Sequence, residues 1–161
     1  MSSIHPGRMT HDHDGELVVF LIGMRVNRLW RPDVWGPAFA AMGPMLTELS
    51  SDPDSGLLGY HTMIGDRGPL LVQYWASVDK LYAYAADTEA AHRPAWTRFN
   101  QRVRKVPGVV GVWHETYVVA SAESVYVGMP SFGLARATGL RAVTGRLDRA
   151  RTRLEAASQA G

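Results

Sequence analysis

The chain has 161 residues, of which 46% are hydrophobic and 20% charged, so a single globular domain is expected and disorder is excluded. The formal net charge of +2 is too small to indicate a nucleic-acid partner. Cysteine is absent, which excludes disulfides, thiolate metal ligands and cysteine nucleophiles.

The N-terminal segment, residues 1–15, is polar and rich in His, Asp and Gly, which predicts a mobile tail. It lacks the apolar core of a signal peptide, and together with the missing cysteines this indicates a cytoplasmic protein. The apolar run LVVFLIGM at 17–24 is too short to span a bilayer. We therefore predict a buried strand within residues 16–30.

Residues 31–56 carry apolar side chains at rough helical spacing, but Pro37 and Pro44 interrupt the pattern and predict a broken or kinked helix. Two strands are predicted at 57–64 and 69–77. The sequence GDRG at 65–68 between them is typical of a hairpin turn.

Ser77 has the position of an N-cap, and a helical pattern follows it. The pattern continues to Lys105, but Pro94 predicts a break near residues 87–94. Further extended segments are predicted at 109–120 and 124–129.

This order, β-α-β-β-α-β over residues 16–130, predicts an α+β domain of ferredoxin-like topology with both helices on one face of an antiparallel sheet. The other face is also apolar and needs a cover. Two copies packed sheet to sheet would provide one, so we predict a homodimer that forms a dimeric α+β barrel.

The segment 131–161 has apolar residues spaced three and four apart, which predicts a C-terminal amphipathic helix lying on the body or on a dimer partner. These residues are Leu140, Val143, Leu147, Ala150 and Leu154. Arginines fill the other positions and would form a solvated face. A membrane-surface role is the alternative, but large aromatic anchors are missing.

His92 and Trp96 lie four residues apart, so on a helix they share one face. A neutral imidazole can bind haem iron or act as a base near neutral pH, and an indole beside it supplies an apolar wall. The alternative is that both side chains simply pack between helix and sheet.

Two strand segments supply further candidates. In RVNRLW, Arg25 and Asn27 share a face of a regular strand, and Arg25 or Arg28 could pair with a carboxylate. In VWHETY, His114 could be a general base. The alternatives are a strand end that reaches solvent and ordinary cross-strand surface pairs.

Several segments together resemble one bacterial and fungal family, grouped with the monooxygenase-like protein of fumagillin biosynthesis. They span about 16–137 and include VVFLIGMRVNRLW, LVQYWASVDKLYAYA, HRPAWTRFN, VGVWHETYVV and SVYVGMPSFGLA. That family is similar to the antibiotic-biosynthesis monooxygenases, which are dimeric α+β barrels. The resemblance thus implies the same fold, with a role in secondary metabolism.

Relatives in that superfamily either oxidise polyketide-like substrates without a cofactor or bind haem. The haem-degrading members carry Asn-Arg-Leu on the first strand and an axial His late in the second helix. NRL at 27–29 and His92 resemble those positions, whereas Tyr82 stands where those members have Trp. The resemblance therefore implies haem held through His92 as one possibility and no cofactor as the other.

We expect a monooxygenase-like enzyme with a small apolar or polyketide-like substrate in a pocket between sheet and helices. The expected catalytic residues are His92, Asn27 and His114. Haem, if used, would be bound by His92 as iron ligand with Arg25, Arg28 and Trp96. The expected pocket walls are Trp75, Tyr82 and Trp113. The alternative is a non-catalytic protein that binds haem or a small ligand.

Overall fold

The structure, a computed structural model, describes residues 3–88 and 92–158, with only the backbone described at His92, Ala95 and Ser158. The strands are β1 (His5–His11), β2 (Val18–Val26), β3 (Leu57–Ile64), β4 (Pro69–Trp75), β5 (Val110–Val118), β6 (Tyr126–Met129) and β7 (Leu140–Ala142). The α-helices are α1 (Pro32–Ser51), α2 (Val78–Ala86), α3 (His92–Lys105), α4 (Gly133–Ala137) and α5 (Ala150–Ser158). A 3₁₀ turn covers Gly145–Asp148.

The main sheet has four antiparallel strands in the order β3-β4-β2-β5, which confirms the predicted ferredoxin-like α+β fold. The predicted hairpin joins β3 to β4, and the Gly65 N–H donates to the Gly68 carbonyl at 2.8 Å. Gly68 is required at this turn because an added Cβ would come within 2.0 Å of the Met24 carbonyl oxygen.

Alternation along β2 gives the sheet two different faces. The face under α1, α2 and α3, here called the helix face, receives Phe20, Ile22 and Met24, and the opposite face, here called the open face, receives Leu21. Part of the open face is covered by α4, whose Ala137 lies against Gly59 of β3. The sequence predicted that a second copy would cover this face, whereas the chain's own C-terminal segment covers part of it.

Two apolar clusters form the core of the helix face, one at each end of β2. One contains Val18, Leu49, Trp75 and Leu81, and the other contains Val34, Phe99, Val109 and Val110. Burying a side chain of this size stabilises a fold by roughly 2 kcal/mol. The clusters therefore clamp α1, α2 and α3 to the sheet at two separate places.

Helix α1 is continuous from Pro32 to Ser51, so of the broken or kinked helix predicted from Pro37 and Pro44 the break is wrong. Each proline removes only one backbone hydrogen bond, while Val34 and Leu49 bury both ends of the helix in the two clusters. Tertiary packing thus outweighs the local effect of the prolines.

The predicted break between the second and third helices is confirmed, since α2 ends at Ala86 and α3 begins at His92. The Ser77 side chain caps α2 and accepts a hydrogen bond from the Lys80 N–H at 3.1 Å. Pro94 is the third residue of α3, in the first turn, where backbone N–H groups have no partner within the helix.

Residues 5–11 form β1, which corrects the mobile tail predicted at 1–15. Strand β1 is the middle strand of a second sheet, in the order β6-β1-β7, and both partners come from the C-terminal part of the chain. His11 is buried at its end, and its ring Nδ1 lies 2.8 Å from the Ser124 hydroxyl. Polar composition could not reveal this pairing because the partners are more than a hundred residues away.

The single amphipathic helix predicted within 131–161 is instead several short elements. Leu140 lies in β7, Leu147 in the 3₁₀ turn, and only the last part of the stripe is in α5. The arginine face is also not fully solvated, because Arg153 is buried and pairs with Glu123. No helix in the described part of the chain is long and apolar enough to cross a membrane.

The environment of His11 predicts a pH-dependent stability. Burial, with the positive charges of Arg141 and His13, lowers the pKa of His11 from its usual value of 6.5. The unfolded imidazole takes up a proton as the pH falls through that value, while the folded one resists protonation. The free energy of unfolding is therefore expected to fall between about pH 7.5 and about pH 5.5.

Urea unfolding at the two pH values would measure this effect. We expect His11→Gln to lose less stability on acidification than the wild type, whereas His5→Gln, on the same strand, should behave like the wild type. An acid-induced loss of the same size in His11→Gln would contradict the prediction.

Candidate functional site

A cavity of about 350 Å³ lies between the helix face of the sheet and the helices α1, α2 and α3. It occupies the space between the two core clusters. Most of its walls are apolar and come from β2, β4, β5 and the three helices: Phe20, Ile22, Met24, Ala38, Ala41, Met42, Met45, Leu46, Leu49, Pro69, Leu71, Leu81, Ala85, Trp96, Phe99 and Val112. Such a cavity suits a small apolar molecule.

Local sequence explains why space remains there. Helix α1 contributes Ala38 and Ala41 to the cavity wall, and their side chains are too short to fill the space. Farther along the helix, Met42 and Met45 add flexible side chains that adapt to irregular shapes. The cavity is thus bounded by small and adaptable residues between two well-packed ends.

His114 is one of four polar residues at the cavity. It lies on β5 directly across from Ile22 of β2, and its ring lies 5.6 Å from that of Phe20. Its ring nitrogens have no hydrogen-bond partner among the residues that the structure describes, and the side chain is exposed. Alternation sends Glu115 to the open face, where it accepts a hydrogen bond from the Tyr117 hydroxyl at 2.6 Å. His114 therefore enters the cavity without a carboxylate partner from its own strand.

Gln73 is a cavity residue that the sequence analysis missed. It lies on β4, is 6% exposed, and its Oε1 accepts a hydrogen bond from Trp75 Nε1 at 3.0 Å. The sequence did contain a signal for Gln73. Leu71, Gln73 and Trp75 are every second residue of one strand and so share a face, and only the middle one is polar. A polar side chain at a buried alternate position needs a partner.

Tyr84 and Arg93 are the other two polar residues at the cavity. Burial, with the nearby charges of Glu48 and Asp87, raises the pKa of Tyr84 to about 12, so its phenol stays protonated at neutral pH. The Arg93 guanidinium donates to the carbonyls of Asp87 and Ala86 at 3.3 Å and 3.2 Å and thereby holds the C-terminal end of α2.

Of the residues predicted for this site, His114 and Trp96 are at the cavity. Trp96 stacks on Phe99 with ring centroids 5.5 Å apart and forms part of the wall. His92 begins α3 one turn before Trp96, but its side chain lies outside the described residues. Its role stays a prediction.

Asn27, Arg25 and Arg28 are not brought to the cavity. Strand β2 ends at Val26, so Asn27 is an exposed turn residue whose backbone N–H donates to the Val109 carbonyl at 2.8 Å. Arg28 is exposed in the same turn. Arg25 lies on the open face and pairs with Asp66 at 2.8 Å. Even in a longer strand, alternation would place Asn27 beside Arg25 on the open face, away from the cavity.

Trp75, Tyr82 and Trp113 do not line the cavity as predicted. Trp75 is fully buried in the cluster beside it, and Tyr82 is 58% exposed on α2. Trp113 is on the open face, where its indole lies over Gly23: a Cβ added at that glycine would come within 2.6 Å of the ring. Trp113 directly precedes His114 on β5, and adjacent residues of a strand point to opposite faces of the sheet.

The haem site implied by the resemblance needs an axial ligand and cations for the propionates. Arg25 and Arg28, which would supply those cations, lie away from the cavity as described above. Within residues 3–88 and 92–158 there is also no group of three or more His, Asp or Glu side chains able to hold a metal ion. Two of the four residues expected to hold haem thus lie away from the cavity, Trp96 lines it, and the side chain of the expected iron ligand His92 lies outside the described residues, so haem binding stays a prediction.

Comparison with known proteins gives a family and a fold. Residues 17–134 match the family described as Monooxygenase af470-like. None of the curated proteins compared with the chain matches it. An aldoxime dehydratase, OxdRE, solved in complex with butyraldoxime, is 18% identical with a TM-score of 0.53, covering 70% of this chain and 34% of its own. At that identity the likeness shows a shared fold.

Two smaller proteins of known structure are also similar to this chain, with TM-scores lower than that of the aldoxime dehydratase. SnoaB, a cofactor-independent oxygenase from Streptomyces nogalater, has a TM-score of 0.41 and 10% identity over 65% of this chain and 94% of its own. A protein from Caulobacter crescentus CB15, proposed to be an antibiotic biosynthesis monooxygenase, has a TM-score of 0.45 and 10% identity over 64% of this chain and 91% of its own.

The placement of the two indoles predicts different effects on ligand binding. Trp96 lines the cavity and Trp113 does not, although their exposures of 45% and 39% are close. We expect Trp96→Ala to weaken binding of the apolar fluorophore 1-aminoanthracene about fivefold, because a lost aromatic wall costs about 1 kcal/mol. Trp113→Ala serves as the matched control in the same fluorescence titration. Equal weakening by both variants would place the probe elsewhere.

Proposed function

Because the chain belongs to the Monooxygenase af470-like family, we propose that it is a monooxygenase-like enzyme whose small apolar or polyketide-like substrate binds in the cavity under α1, α2 and α3. The observation that supports this most directly is His114, an imidazole without a hydrogen-bond partner among the described residues, at the wall of an otherwise mainly apolar space. An imidazole in that setting can accept a proton from a bound molecule.

In this proposal His114 is the general base. It removes a proton from an acidic C–H or O–H of the substrate, held against the β2 side chains beside it. Because the His114 side chain is exposed, the proton can pass on to solvent after each turnover. The phenol of Tyr84 stays protonated at the cavity wall.

The electrons for oxygen reduction would come from the substrate. Proton removal leaves a substrate anion that reacts with O2, one oxygen atom enters the product, and the other leaves as water with two hydrogens of the substrate. Apolar side chains such as Phe20, Leu71 and Trp96 surround the anion and keep water away from it. No step in this scheme passes through haem.

A binding protein without catalysis is the second candidate. The observation in its favour is that the α1 wall of the cavity is entirely apolar, from Ala38 to Leu49. A carrier needs such a lining and no base. Substrate binding without O2 consumption would distinguish it from the enzyme.

The open face supports a proposal of homodimerisation. Trp113, Tyr117 and Met63 expose apolar surface there, with 39%, 51% and 40% of their area accessible. Helix α4 covers the face at β3, while Trp113 and Tyr117 lie on β5 at the opposite edge of the sheet. A second copy could cover this side of the face by packing its sheet against the first.

Oxygen uptake tests the enzymatic proposal. The full chain would be supplied with a panel of polyphenolic and polyketide-like compounds, with and without hemin, in an oxygen-electrode assay. We expect uptake without hemin and a fall in kcat of at least about a hundredfold in His114→Gln, which cannot take up the proton. Glu115→Gln is the matched control, because the neighbouring side chain faces away from the cavity.

The remaining outcomes are also informative. Uptake that requires hemin, or that is lost in His92→Ala and kept in His114→Gln, would contradict the role assigned to His114. No uptake with any compound that binds would favour the carrier.

Sedimentation velocity tests the homodimer. We expect Trp113→Arg and Tyr117→Arg to convert a dimer into monomers, because each places a charge within an apolar interface. Trp30→Arg is the control, since Trp30 is 75% exposed in the turn after β2. A wild-type chain that sediments as a monomer at all concentrations would exclude this interface.

A further inference from the structure

The carboxamide of Gln73 has both of its N–H donors unused within the part of the chain that the structure describes. Its Oε1 accepts from Trp75 Nε1 at 3.0 Å, but its two Nε2–H bonds have no acceptor among the residues that the structure describes. The side chain is 6% exposed and lines the cavity. Leaving a buried donor unpaired is costly, so an acceptor within the cavity is expected to meet it.

Trp75 determines which end of the carboxamide faces the cavity. The indole Nε1–H is a donor only, so it must meet the oxygen and not the nitrogen of the amide. Trp75 itself is fully buried and packs with Val18, Leu49 and Leu81, so its orientation is fixed. A rotated carboxamide would place donor against donor. The N–H groups of Gln73, and not its oxygen, therefore face the cavity.

We propose that Gln73 determines substrate specificity by donating from Nε2 to a carbonyl oxygen of the bound molecule, with Trp75 as the positioning residue. The inference rests on the proposed function in one respect, namely that the cavity is the substrate site. The inference adds to the proposed function a class of substrate, namely an apolar ring system with a carbonyl group. A hydrocarbon of the same shape would leave the amide unpaired and bind less tightly.

The sheet geometry sets the distance between the two polar ends. Gln73 is paired with Phe20 on one edge of β2, and His114 is paired with Ile22 on the other edge. Two strand spacings, combined with the stagger of two residues along β2, put the backbones at Gln73 and His114 about 12 Å apart. Apolar side chains of β2 lie between them. A substrate that reaches both residues therefore carries its carbonyl about two or three fused rings away from the proton that His114 removes.

The test uses two rigid probes of nearly the same shape, 9-fluorenone and fluorene, which differ by the carbonyl. Calorimetric or fluorescence titration of the full chain should show about tenfold tighter binding of the ketone, the effect of one buried hydrogen bond. In Gln73→Leu the ratio should fall to about one, with fluorene affinity kept. Thr116→Val is the matched control, because Thr116 is also paired with Phe20, on its other side.

Two further readouts separate positioning from packing. The infrared C=O stretch of bound fluorenone should lie below its value in an alkane for the wild type, and should return towards that value in Gln73→Leu. Trp75→Phe should reduce the ketone preference while the fluorene affinity stays close to that of the wild type, since the amide then loses its fixed orientation. The wild-type infrared measurement needs no variant, so a misfolded variant would not spoil the test.

Each outcome bears on a different statement. Equal affinity for both probes, or an unshifted C=O stretch in the wild type, would overturn the role of Gln73 and leave the oxygen-uptake result untouched. If neither probe binds, the proposal fails together with the assignment of the cavity as the ligand site. A ketone preference without any oxygen uptake would support Gln73 and overturn the enzymatic function.

Discussion

Strand β2 is the part of the molecule on which the rest depends, because it is hydrogen-bonded along both edges, to β4 and to β5. Its alternation assigns every side chain to one of two environments. Val18 anchors one core cluster, Met24 packs on the other, and Phe20 and Ile22 form the cavity floor between them. A slip of one residue would exchange the two faces and would remove the core and the cavity together.

The two packed core clusters at the ends of β2 compensate for the cavity that lies between them. A cavity forgoes the dispersion contacts that a filled core would make, so stability must come from the regions around it. Trp75 shows how one residue can serve both needs. It is fully buried in a cluster, and its only polar atom orients Gln73 at the cavity. Rigid packing outside the site thus determines the chemistry that the site presents.

Features with local causes could be predicted from the sequence, whereas those with distant or very precise causes could not. The hairpin at Gly65 and the cap at Ser77 depend on residues next to each other and were predicted correctly. The strand β1 pairs with segments over a hundred residues away, which no local pattern records. Asn27 was misplaced because it would share the open face with Arg25, and β2 ends one residue before it. His114 and Trp113 show the same sensitivity, since adjacent strand residues face opposite sides.

The second sheet joins segments that lie more than a hundred residues apart, and this has a consequence for the order of folding. Strand β1 leaves the ribosome before β6 and β7, which flank it in the sheet. Its backbone groups must therefore remain without their sheet partners until more than a hundred further residues have been synthesised. The polar residues of β1, including Thr10 and His11, suit a segment that waits in water, because they make it a poor template for aggregation before its partners arrive.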